Sequence, residues 1–254
     1  PVPVGATAGS YLETICYAGI KERYGVLKSG PAEGKRDVEV LERARHELDI
    51  IVRTGFANYY LVVWDFVQFA RRSGIPVGLR GSGGASLVAY VIGITDIEPL
   101  RHSLVFERFL NPDRVSPPDF DIDFCQVRRG EVIDYLHAKY PGRVAHIVSF
   151  GTFGGRMAVR DTAHVLGITH GTAEKLLRVV PDDAKTSLKL ALARNPALRR
   201  ECECDPACKE LIATASVLEG LCRNAGTHAA GIVIGDKPLT ELVPLTLDKD
   251  GKPI

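Results

Sequence analysis

Pro117-Pro118-Asp119-Phe120-Asp121-Ile122-Asp123-Phe124 alternates three carboxylates with three large apolar side chains. A β-strand points successive side chains to opposite faces. The spacing therefore predicts a strand over 118–124, with Asp119, Asp121 and Asp123 on one face and Phe120, Ile122 and Phe124 on the other. Asp is a poor strand former, and three like charges along one face repel. A hard cation such as Mg²⁺ offsets that cost, so the stretch reads as a metal-binding strand. The alternative is an acidic face that blunts an exposed sheet edge.

Upstream lies Arg80-Gly81-Ser82-Gly83-Gly84-Ala85-Ser86, a glycine-rich turn between a short strand over 75–78 and an apolar segment over 86–94 read as a helix. Small residues let backbone approach a ligand. A helix N-terminus offers free N–H groups to an anion, and Arg80 and Ser82 add donors for phosphate oxygens. The turn matches neither a Walker pattern nor G-x-G-x-x-G, and such a turn is commonly only a turn. A carboxylate strand together with a phosphate cradle describes a site where Mg²⁺ joins protein to a nucleoside triphosphate.

Helical spacing is read over 10–24, over 35–54 (Val38, Leu41, Ala44, Leu48, Ile51, with Gly55 as the stop), over 59–72 and over 128–140. The charged face of the 35–54 helix reads as solvated surface, and Gly30-Pro31 reads as a break. A short helical segment is expected over 106–110, strands over 144–150 and 229–235, and helices between them. The simplest organisation is an α/β domain, a helical insert, and a return to the first sheet.

Between Arg128 and Arg160, six cations (Arg128, Arg129, Lys139, Arg143, Arg156, Arg160) face two anions, Glu131 and Asp134. Gly151–Arg156 reads as a helix opening whose amides and Arg156 suit a phosphodiester backbone, or as ordinary solvated surface. Cys202, Cys204 and Cys208 have no standard zinc spacing; Asp205-Pro206 starts a helix and leaves Cys202 and Cys204 in a loop. His228 reads as a hydrogen-bonded structural histidine.

The 254 residues carry a net charge of +1, with 45% hydrophobic and 25% charged residues, which allows one or two globular domains and no strong basic field. Six cysteines are too few for a disulfide scaffold. No apolar run reaches the roughly 20 residues of a membrane span, and no signal peptide is seen, so a reducing, cytoplasmic home is expected. Pro1-Val2-Pro3 and Gly251–Ile254 both read as cuts within a longer chain.

Five ordered stretches carry a family resemblance over nearly the whole chain. They are Gly81-Ser82-Gly83 running into Ser86–Tyr90, Phe106–Pro112, Pro118–Phe124, Phe150-Gly151-Thr152 through Asp161, and His228–Gly231. In these the chain resembles the bacterial DNA polymerase III alpha subunits, the family C replicative polymerases. The resemblance implies a nucleotidyltransferase-like palm sheet interrupted by a helical thumb insertion: palm with N-terminal helices over 1–149, thumb over 150–226, return to palm over 227–254. It implies Mg²⁺ ligation by Asp119 and Asp121 as catalytic residues, with Asp123 in support. It also implies contact of Arg80, Gly81, Ser82 and Gly83 with the incoming dNTP, and of Arg156 and Arg160 with primer–template DNA. Leu79-Arg80 is one residue shorter than the family's Pro-Gly-Arg.

The implied reaction is attack of a primer 3′-hydroxyl on the dNTP α-phosphate, in a subunit that works with a sliding clamp and other replisome partners and no membrane. A metal-dependent phosphohydrolase using the same aspartates and a non-catalytic duplex-DNA-binding module are the competing readings. The first is weakened by the lack of His between His102 and His137. The second calls for steeply salt-dependent, metal-independent binding. The family's third catalytic aspartate is expected beyond residue 254. The chain alone is therefore expected not to extend a primer; Mg²⁺-dependent incorporation in a primer-extension assay would contradict this.

Overall fold

Apolar residues recurring every three or four positions wind the first part of the chain into α1 (Ala8–Tyr24), α2 (Lys35–Arg53) and α3 (Ala57–Arg72). The computed structural model describes residues 2–25, 35–113, 117–183, 186–249 and 251–254. The break read at Gly30-Pro31 lies outside the described residues. The chain divides into two compact units, Pro1–Tyr140 and Pro141–Ile254.

In the first unit a Thr7–Ser10 capping box starts α1. The buried stripe of α2 runs through Val40, Leu41, Ala44, Glu47, Leu48 and Ile51. Val38 sits on its flank and is 42% exposed, so it is not the core residue its spacing suggested. After α3 come β1 (Val77–Arg80), a tight 3-10 turn over Gly81–Ala85, α4 (Leu87–Val91), a 3-10 turn over Phe106–Arg108, β2 (Asp121–Phe124) and α5 (Arg129–Lys139). Leu12, Ile20, Leu61, Val88, Phe106 and Phe120 belong to one core. The acidic strand begins at Asp121, later than its alternation predicted, so Asp119 precedes the ladder.

In the second unit β3 (Val144–Thr152) pairs antiparallel with β4 (Cys222–Ile234). Between them lie α6 (Gly155–Val165), α7 (His170–Val179), α8 (Leu188–Arg194), α9 (Pro196–Cys204) and α10 (Pro206–Leu218) around Leu176, Leu188, Leu198 and Leu211. Asn195 and Asp205 cap helices whose first turn carries Pro196 and Pro206. The Asp205-Pro206 start holds, but Cys202 and Cys204 lie in α9 rather than a loop.

The return strand pairs with β3, not with the strands of the first unit. Among the described residues the sheets are β1–β2 and β3–β4, two strands each, rather than one continuous sheet. The strand read over 229–235 starts at Cys222, because ladder pairing with 148–152 extends it through small and polar residues that carry no alternation signal. Correspondingly, Gly151 and Thr152 finish β3, and α6 opens only at Gly155.

Candidate metal- and nucleotide-binding site

Four residue pairs bring the two motifs together. β1 runs antiparallel to β2 in the register Val77↔Phe124, Gly78↔Asp123, Leu79↔Ile122 and Arg80↔Asp121. Leu79 and Ile122 face the core, which turns Arg80, Asp121 and Asp123 to the other side. Phe120 is 8% exposed and packs against Tyr59 (centroids 5.5 Å, stacked), Tyr60 (5.1 Å, edge-on) and Phe109 (4.7 Å). Phe124 meets Phe66. The apolar half of the alternation is therefore the anchor that aims the acidic half outward.

Immediately after β1 the chain turns sharply. Gly81 has φ +76°, and a Cβ there would lie 2.9 Å from Asp121 Oδ2. A Cβ on Gly83 would lie 2.6 Å from the Phe120 ring. Both glycines are needed for the loop to lie against the acidic strand, one for its backbone conformation and both for contact distance. Ser82 and Asp119 are exposed. Arg80 reaches across the ladder: its Nε donates to Asp123 Oδ2 at 3.0 Å, and a terminal nitrogen lies 3.4 Å from Asp121 Oδ2.

Same-face residues along a strand are spaced about 6.6 Å apart, so three such carboxylates do not converge on one ion by themselves. Accordingly, no group of three His, Cys, Asp or Glu among the described residues forms a metal cluster. The donor set nonetheless suits Mg²⁺. Mg²⁺ takes one or two carboxylates, keeps waters and shares substrate phosphates, and here Asp119 is exposed while Asp121 and Asp123 border the glycine loop with the Arg80 guanidinium as their present counter-charge. An open depression lined by Arg36, Glu39, Glu98, Leu100 and Arg101 shares no residue with this site.

The loop is held from behind by a buried carboxylate on α2. Glu47 is fully buried. Its carboxylate accepts the amides of Leu87 (2.9 Å) and Val88 (3.0 Å), the Ser86 hydroxyl (2.8 Å) and Arg43 Nε (2.6 Å). Arg43 also donates to the carbonyls of Ala85 and Leu104, and the buried Tyr60 hydroxyl donates to Ser86 Oγ. Burial pushes the Glu47 carboxyl above its usual range, while the two amides and Arg43 pull it back. The N-terminus of α4 is thus already filled by an internal anion, and the free N–H groups expected there are not available to phosphate. Among the described residues the backbone amides over 81–83 carry no such internal anion, and the Arg80 guanidinium meets Asp121 and Asp123. Glu47 was legible in one respect: it stands three residues after Ala44 and four before Ile51, on the apolar stripe.

The basic stretch is largely spent inside the fold. Arg128 pairs with Glu131 and donates to the carbonyls of Ser73 and Gly74. Lys139 meets Asp65, and Arg143 donates to the Asp236 carbonyl. Arg156 donates to the carbonyls of Leu177 and Val180, closing the end of α7, and lies 3.4 Å from Asp182. Arg129 and Arg160 are exposed. In β4, Thr227 pairs with Val148 and Ile232 with His146, so residues 228–231 bulge opposite Ile147. His228 Nδ1 accepts the amides of Ala230 and Gly231 and closes that bulge, as expected of a structural histidine. Cys202 and Cys208 are buried free thiols in the helical core, and burial pushes Cys208 up to about 11.

Comparison with known proteins gives this arrangement a family. Residues 10–254 match the bacterial DNA polymerase III alpha NTPase domain. The chain is 48% identical over 245 residues to the DNA polymerase III subunit alpha of Borreliella burgdorferi, covering 95% of this chain and 20% of that protein. It is 42% identical over 253 residues to the Bacillus subtilis subunit, covering 99% and 22%. It is 44% identical over 257 residues to that of Pseudomonas aeruginosa, again covering 99% and 22%. The chain belongs to the DNA polymerase III alpha family and spans about a fifth of the length of these relatives.

Two substitutions test the geometry. Gly81→Ala forces a side chain into the left-handed region and against Asp121, and is expected to cost about 1–2 kcal/mol in denaturant unfolding. Glu47→Gln turns an NH₂ toward donors and breaks a buried pair, with an expected loss of about 3 kcal/mol in the same measurement. A loss under about 0.5 kcal/mol in the latter would contradict the buried network, because that is the ordinary range for surface changes.

Proposed function

We propose that this chain contributes the metal- and nucleotide-binding core of a template-directed DNA polymerase, adding dNTPs to a primer 3′-hydroxyl during DNA replication. The observation that carries the reading is the register Arg80↔Asp121, which lays the glycine loop directly against the acidic strand. Asp119 and Asp121 are assigned as the Mg²⁺ ligands and Asp123 as their support. Arg80, Gly81, Ser82 and Gly83 are assigned to the triphosphate. The residue ranges 1–149 and 227–254 are assigned to the palm and 150–226 to the thumb. The five helices that lie between the paired strands β3 and β4 support that assignment.

Mg²⁺, when bound, neutralises charge on the transferred phosphoryl group and makes the primer hydroxyl easier to deprotonate. The protein's part is placement. Asp121 is fixed by the ladder, Phe120 anchors the backbone beside it, and the side-chain-free surface of Gly81 lets a phosphate approach that carboxylate. The Arg80 guanidinium, which now bridges Asp121 and Asp123, is a fork suited to phosphate oxygens, and it exchanges carboxylate for triphosphate as the nucleotide arrives. Exposed Arg160 is the better-placed cation for the duplex backbone, with Arg156 shaping the helices beneath it. The polymerase relatives named above, and the family they share, support DNA and dNTPs as substrates and other replisome subunits as partners, and a sliding clamp is proposed among those subunits.

In the full-length subunit, Asp119→Asn and Asp121→Asn are each expected to lower primer extension by at least about a thousandfold. Primer–template affinity, measured by anisotropy, is expected to stay within about threefold, since neither residue is a duplex contact. Near-normal turnover of either variant would sink the metal assignment.

A further inference from the structure

Where Gly81 swings into its left-handed turn, β1 stops, and the ladder ends at Arg80↔Asp121. The next amide along the acidic strand, Phe120 N–H, loses the partner that a continuing strand would have supplied. A backbone donor beside the core needs another acceptor. It finds one in the Tyr59 hydroxyl, at 3.0 Å. The Tyr59 ring stacks on the Phe120 ring at 5.5 Å, and Phe56 braces Tyr59 edge-on at 6.5 Å. Pro117 and Pro118 have no N–H to donate, and among the described residues this hydrogen bond ties the backbone of the stretch just ahead of the strand to α3.

We infer that Tyr59 is the positioning residue of the metal site, fixing the backbone between Asp119 and Asp121 so that the two carboxylates hold one spacing. Asp121 is set by the ladder. Asp119 is exposed and outside it, and its position relative to Asp121 is set by the intervening Phe120 peptide. Nothing in the sequence pattern of 59–72 distinguishes Tyr59 from its apolar neighbours; its role follows from where Gly81 turns. The inference rests on the metal reading of the proposed function.

The test uses the full-length subunit with Tyr59→Phe, which keeps the stacked ring and removes the acceptor. Mn²⁺ affinity, read by electron paramagnetic resonance of the free ion, is expected to fall on the order of tenfold, as for other groups that orient metal ligands. Peptide-resolved hydrogen exchange over 117–124 is expected to accelerate. The Mg²⁺ concentration giving half-maximal primer extension is expected to rise by a similar factor, with the rate at saturating Mg²⁺ retained. A lower ceiling with unchanged Mn²⁺ affinity would show a merely structural role and overturn the inference, as would a wild-type Mn²⁺ titration. Asp121→Asn is measured alongside. If it too binds Mn²⁺ like the wild type, the metal reading itself fails. If it loses Mn²⁺ while Tyr59→Phe does not, only the role of Tyr59 is overturned.

Discussion

One buried carboxylate governs how the site is built. Glu47 has no exposed surface, and it sits among the amides that open α4, the Ser86 hydroxyl and the Arg43 guanidinium. An ionisable group so placed tolerates burial only while its partners hold their positions. That requirement pins α2 to α4 and fixes the exit of the glycine loop. With the exit fixed, and β1 entering from α3, the five residues over Gly81–Ala85 have little freedom beyond the tight turn they adopt. The turn in turn ends the β1–β2 ladder at Arg80↔Asp121 and sets which carboxylates lie inside it and which outside.

Burial on the far face completes the constraint. Three aromatic contacts to Phe120 and the packing of Ile122 hold β2 against the core. A strand of four residues paired to only one partner has little stability of its own. Its side chains, rather than its ladder, keep it in place. The aspartates can therefore face outward, repelling one another, with Arg80 as a local counter-charge.

The alternation over 117–124 made the two faces of the acidic strand legible, and the helix-period stripes located α1, α2, α3 and α5, while the five helices between β3 and β4 were legible only as a helical region. What escaped was set by tertiary context. Glu47 looked like one more charge on an amphipathic helix, because burial of a carboxylate depends on donors forty residues away. The α4 N-terminus looked like an anion site and is one, but its anion is internal. Arg156 reads as a free cation until the end of α7 arrives beneath it. The first half of β4 lacks alternation and is a strand only because β3 pairs with it. Among the described residues the strands form two short ladders, β1–β2 and β3–β4, and local periodicity carries no signal of which strands pair.

The glycine loop and the acidic strand are proposed to form one metal–triphosphate site. Iron-directed hydroxyl-radical cleavage tests it most directly. Fe²⁺ is substituted for Mg²⁺ in the full-length subunit, and backbone scission is mapped with and without dNTP. Within residues 1–254, cleavage concentrated around residues 79–84 and 117–123, strengthened by dNTP and suppressed by excess Mg²⁺, is the predicted result. Scission that spares either segment, or that ignores dNTP, would contradict the account.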